Sequence, residues 1–165
     1  MERSIGRRVR NIDPRVQAID QTTLTAIVQR SLYNDAITVS DWKRQPLHGG
    51  AGGTTRGLYR FSGIGRSHGE AVAWSLILKV VRPPTSAGDA FDDGWQDPSH
   101  WGYWKREYLT YQAGVLENLP GDIAAPRCVG CVEHSDGSVW LWLEDVVDTY
   151  GRSWPSTSYA TAAHH

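Results

Sequence analysis

Two hydrophobic periods alternate along the chain. From Thr22 to Tyr33 (TTLTAIVQRSLY), Leu24, Ile27, Val28 and Leu32 recur at steps of three and four, which predicts a short amphipathic helix. Ile37 to Leu47 reads as a strand, closed by Pro46 and a Gly-rich loop, and Gly57 to Ser62 (GLYRFS) is the strand leaving that loop. A turn around GIGRSHGE leads to Ala71–Arg82 (AVAWSLILKVVR), a long apolar strand stopped by Pro83 and Pro84. After a polar Gly/Asp/Pro loop, Trp101, Trp104, Tyr108, Tyr111 and Val115 fall on one stripe and predict a helix from Ser99 to Leu116. Asp97-Pro98 is a suitable start for it. Ile123–His134 and Ser138–Leu143 form a hairpin about Ser-Asp-Gly. This order predicts an α+β fold: a five-stranded antiparallel sheet with one packed helix, preceded by a short N-terminal helix. Residues 1–20 read as a solvated arm, 21–147 as the domain, and 148–165 as a loop-like tail.

Composition narrows the functional classes. The 165 residues are 40% hydrophobic and 21% charged, a globular profile with room for a core. The net charge of −1 gives no footprint for nucleic acid or an anionic membrane. The basic start (Arg3, Arg7, Arg8, Arg10) contains no long apolar run, so it reads as neither a signal peptide nor a membrane anchor. The two cysteines lie in CVGC at 128–131, a spacing that can bind zinc or run redox chemistry, but without the second ligand pair that a zinc site needs. Read as part of a strand, that segment sends the thiols to opposite faces, as two small hydrophobes in a reducing cytoplasm. Eight tryptophans supply bulk and adhesive surface without naming a function.

Three features carry candidate chemistry. The first is LHGGAGGTTRGLYRF at 47–61, in which Gly52 and Gly57 have phosphate-loop spacing but are followed by Leu58 and Tyr59 where Lys and Ser/Thr are required. The loop also leads into a strand, not a helix, which excludes a dinucleotide fingerprint. It can be a plain tight hairpin or a hairpin that covers phosphates from above. The second is Lys79, in the middle of an apolar strand, where the amine either snorkels to water or needs a partner. The third is Glu107, bordering the aromatic stripe, where it can bridge a neighbouring helical turn or reach the sheet. His134-Ser135-Asp136 has the form His-x-Asp, but position 141 is Leu and the segment reads as a hairpin turn, so it is not a catalytic loop.

In order, LHGGAGGTTRGLYRF, WSLILKVV, WKREYLTYQAG and VWLWLEDV resemble the N-terminal lobe of aminoglycoside-phosphotransferase-like and choline-kinase-like enzymes, small-molecule relatives of the protein kinases. The resemblance covers about residues 37–150. It implies that the loop with Gly50, Ala51, Gly52, Gly53, Thr54 and Thr55 lies over the triphosphate of ATP. Lys79 would contact its α- and β-phosphates and pair with Glu107. The segment Leu143–Val146 would join two lobes, with the carbonyl of Glu144 and the amide of Val146 reading adenine; the side chains of Glu144 and Asp145 read as a solvated turn. The family's catalytic Asp and its Mg2+ ligands belong to a helical C-terminal lobe, which residues 148–165 would only begin. The function implied is the ATP-binding lobe of a phosphotransferase acting on a small hydroxyl acceptor, inactive by itself. The alternative is a degenerate, non-catalytic kinase-like binding module. The lobe reading further implies an exposed apolar patch around Trp142, Val146 and Trp154, the surface meant for a companion lobe.

Overall fold

The structure, a computed structural model, describes residues 12–47, 54–84, 93–120, 123–147 and 155–156. It is an α+β fold built on an open, wholly antiparallel sheet of five strands, β1 (Thr38–Pro46), β2 (Thr55–Ser67), β3 (Glu70–Val81), β4 (Cys128–Glu133) and β5 (Val139–Glu144), in the order β1-β2-β3-β5-β4. The helices are α1 (Pro14–Gln17), α2 (Gln21–Leu32) and α3 (Arg106–Gln112).

Both faces of the sheet are covered, and the alternation of β3 shows how. Trp74, Leu76, Leu78 and Val80 point to one face, where they join Phe61, Trp140, Trp142 and the α2 residues Leu24, Ile27 and Val28. Ile77 and Val81 point to the other, with Leu141, Leu143 and the α3 aromatics Tyr108 and Tyr111. Lys79 therefore lies on the α3 face. Helix α2 is capped at its start by Asp20, whose carboxylate accepts from the Thr23 amide at 2.8 Å, and closed at its end by Tyr33 in the left-handed region (φ 50°).

Four expectations need correction. The arm is not solvated throughout, because Val16 is fully buried in the α2-side core. Asp13 starts α1 and is held by Arg15 at 3.0 Å and Arg82 at 2.6 Å. Strand β2 does not stop at Ser62; it runs through Gly63, Ile64 and Gly65, and only His68-Gly69 turns. The predicted helix from Ser99 begins seven residues later, at Arg106. The Asp97 carboxylate takes the Ser99 amide and hydroxyl, and Gly102 sits against the Trp95 ring, so turns occupy the intervening chain. The stripe is accordingly divided: Trp104, Tyr108 and Tyr111 pack on the sheet, whereas Trp101 and Val115 are exposed. Finally, residues 123–127, which include Pro126, precede β4 as irregular chain and are not part of it.

Candidate functional site

The α3 face of the sheet gathers the charged residues singled out above. Lys79 is central on β3, paired in register with Leu58 of β2 on one side and Leu141 of β5 on the other. Its Nζ donates to Glu107 Oε2 in the first turn of α3. The side chains are 22% and 37% exposed, so the pair sits at the border of the packed interface and not deep in it. An ammonium has three N–H donors, and one carboxylate oxygen engages one of them. Glu107 also gains from its place near the positive end of the helix.

Helix α3 is fastened from its other side by Lys105, which donates to Glu133 of β4 and lies over the rings of Trp104 and Tyr108 at 5.4 and 5.9 Å. Beside Glu107 an open groove of about 490 Å³ is walled by Thr54, Val81, Trp95, Trp104 and Tyr111 among others. Burial first, then the nearby Glu107 carboxylate and the two cysteine sulfurs, push the Tyr111 phenol up to about 12, so Tyr111 is a neutral hydrogen-bond donor here. Its hydroxyl donates to the Pro126 carbonyl at 3.1 Å.

The stems of the Gly-rich loop are pinned next to this groove. Leu47 donates its amide to the Leu58 carbonyl at 2.8 Å, and Arg82 donates to the Thr54 carbonyl at 2.9 Å. Thr54 lines the groove and Thr55 begins β2. Gly50, Ala51, Gly52 and Gly53 lie outside the described residues. At the far end of β5, Glu144 stands three residues beyond Leu141, the partner of Lys79, or roughly 10 Å along the strand. Its amide donates to the Arg127 carbonyl at 2.8 Å, while Val146 is 57% exposed. Thus Lys79 and Glu107 meet, Thr54 shares a groove wall with Glu107 but not with Lys79, which does not line that groove, and Glu144 and Val146 stand apart at the strand end.

No protein-family model, curated protein or solved structure matches the chain. The site is therefore read from its own residues. Among the described residues, no group of three or more His, Cys, Asp or Glu is placed to hold a metal ion. His134 to Asp136 serve the fold, since the Asp136 carboxylate, held well below the ordinary range first by the Ser138 hydroxyl and then by Arg15, ties the β4–β5 turn to α1.

Two further observations correct the sequence reading. Asp145 is not a solvated turn residue. Its side chain is 13% exposed and takes Arg60 Nε at 2.7 Å and Nη2 at 3.0 Å, together with the Ser75 hydroxyl. This fork pins the chain after β5 to the face that carries Lys79, immediately before Val146. The sequence signal was the alternation of β2 and β3, which puts Arg60 and Ser75 on one face. The expected apolar patch is also reduced: Trp142 is buried against Phe61 with ring centroids 5.2 Å apart, Val146 is exposed, and Trp154 lies outside the described residues.

Proposed function

We propose that this chain is the ATP-binding lobe of a phosphotransferase that moves the γ-phosphate of ATP to a small hydroxyl acceptor. The observation that carries the reading is the Lys79–Glu107 pair between β3 and α3, next to the pinned stems of a Gly-rich hairpin. Phosphoryl transfer needs phosphates held and their charge balanced before the acceptor attacks. In this reading Lys79 holds the α- and β-phosphates, Glu107 orients it, and Thr54, Thr55 and the loop residues before them cover the triphosphate. The backbone of Glu144 and Val146, steadied by Asp145, reads adenine. The ligands that would hold Mg2+ and the base that would receive the acceptor proton are not among these residues. A cytoplasmic location goes with the reading, as the compartment in which small-molecule kinases of this kind would meet ATP. For the membrane, the finding is limited: no helix among the described residues is long and apolar enough to cross one.

A second reading, a non-catalytic binding module, draws support from the aromatic walls of the groove, where Trp95 and Trp101 meet edge to face at 6.0 Å and Trp101 is 75% exposed. Isothermal titration of the chain with a non-hydrolysable MgATP analogue, with MgADP and with adenosine separates the two. The phosphotransferase reading expects saturable binding of the analogue and of MgADP, with adenosine weaker by about tenfold or more because it lacks the phosphates that Lys79 contacts. Absence of heat for all three ligands, or equal affinity for adenosine and the analogue, overturns it.

A further inference from the structure

A strand sends residues three apart to opposite faces, yet Cys128 and Cys131 are together, with their Sγ atoms 2.9 Å apart. The cause is a bulge in β4. Cys128 pairs with Leu143 and Gly130 with Trp142, so Val129 is an extra residue and the alternation is reset between the cysteines. Val129 goes to the α2-side core, and both thiols go to the α3 face beside Tyr111. Gly130 suits this position because its missing side chain leaves room for Ile27 Cδ1, 3.3 Å from where a Cβ would stand.

The two sulfurs are not equivalent. Cys128 lines a second cavity, of about 570 Å³, whose walls include Tyr33, Arg127 and Glu144. Cys131 does not line it. The sulfurs share a hydrogen bond in which either can donate, and Cys128 Sγ also lies 3.5 Å from the Gly130 carbonyl oxygen; the shared bond pulls the Cys128 thiol down from its ordinary value and pushes Cys131 up. Cys128 is thus the reachable nucleophile, and Cys131 is the adjacent group that can complete an exchange.

We propose that Cys128 and Cys131 are a redox-active dithiol that exchanges with small-molecule disulfides of the glutathione class, with Cys128 attacking and Cys131 resolving. In the first step the Cys128 thiolate attacks one sulfur of the oxidised tripeptide. A Cys128 mixed disulfide forms, the small disulfide bond breaks, and one thiolate leaves and takes up the proton released by Cys128. In the second step Cys131 attacks the Cys128 sulfur, the mixed disulfide breaks, and the second tripeptide leaves with the Cys131 proton. The chain loses two electrons and two protons, and the small disulfide becomes two thiols. Bonding requires the sulfurs to move from 2.9 Å to about 2.05 Å, a shift within reach of side-chain torsions.

The test uses the whole chain, oxidised glutathione and intact-mass measurement after alkylation, and makes no use of nucleotide binding. The folded chain is expected to lose both alkylatable thiols as an intramolecular disulfide, reversibly with a reducing dithiol. Half-oxidation is expected at an oxidant level about tenfold lower than for the same chain in urea, because folding pre-positions the sulfurs. Cys131→Ser is expected to stop at one tripeptide adduct on Cys128, and Cys128→Ser to react at least about tenfold more slowly at Cys131. Circular dichroism of both variants checks that they remain folded. Three results would each overturn the proposal: two free thiols persisting in the folded chain, disulfides joining two chains, or equal oxidation in the folded and urea states.

Discussion

Replacing Phe61 by alanine is expected to lower the stability of the chain by about 3–5 kcal/mol. Phe61 is 1% exposed and is the largest of the fully buried side chains. It projects from β2 into the α2-side core, where its ring meets Trp142 of β5 at 5.2 Å and 60°. That contact spans β3, the strand between them, so the ring helps to hold three strands to one layer. Truncation removes the apolar area and leaves a cavity whose walls are large rings that cannot collapse around an alanine. With a total stability of roughly 5–15 kcal/mol for a domain, the variant is expected to melt about 10 °C lower or more. Urea denaturation followed by tryptophan fluorescence measures the difference, and a loss below about 1 kcal/mol would contradict this account of the core.

The second large effect is at Gly63. A Cβ there would lie 2.0 Å from the Asp41 carbonyl oxygen and 2.8 Å from Trp42 Cα, both backbone atoms of β1. The closeness comes from a bulge in β1, where Val39 faces Gly65, Asp41 faces Ile64, and Ser40 is the extra residue. Ser40 turns its hydroxyl to the Ile64 carbonyl at 3.1 Å. Gly63→Ala is expected to cost at least about 3 kcal/mol, since no rotamer change relieves a clash with a strand. The matched comparison is Gly137→Ala in the β4–β5 turn, where φ is +76° and no heavy atom beyond the adjoining residues lies within 4 Å of the added carbon. That change carries only backbone strain, of about 1 kcal/mol. Equal losses at the two positions would contradict the claim that close strand approach, and not conformational freedom, fixes Gly63.

These two residues also show which parts of the structure were legible in the sequence. Strand β3 was readable because its alternation serves two buried faces, and the assignment of Lys79 to one face with Ile77 and Val81 followed from period two. The order of the elements gave the antiparallel sheet. Gly63 and Gly65 misled because glycine marks both a turn and a close approach of backbones, and only the partner strand distinguishes them. The helix from Ser99 misled because an aromatic stripe persists through turns that Gly102 and the Asp97 carboxylate impose. The meeting of Cys128 and Cys131 was invisible because a bulge is a property of the pairing of β4 with β5, not of β4 alone. The grip on Asp145 joins residues 60, 75 and 145, and nothing local in WLEDV signals it. In contrast, the Lys79–Glu107 contact was anticipated, not from the strand alone, which left the amine free to snorkel, but from the order of the Gly-rich loop, the strand lysine and the helix glutamate and the resemblance that this order carries.

That contact is the centre of the account, and a double-mutant cycle on nucleotide affinity tests it most directly. Lys79→Met keeps the length of the side chain and removes its charge; Glu107→Gln keeps the shape and removes the partner charge. Binding of a non-hydrolysable MgATP analogue to the chain, to each single variant and to the double variant is measured by calorimetry, with circular dichroism confirming that each is folded. The account predicts about tenfold or greater weakening for Lys79→Met, a smaller weakening for Glu107→Gln, and a double variant no worse than Lys79→Met alone, because Glu107 acts through the lysine. Binding that is unchanged by Lys79→Met, or losses at the two positions that simply add, would contradict it.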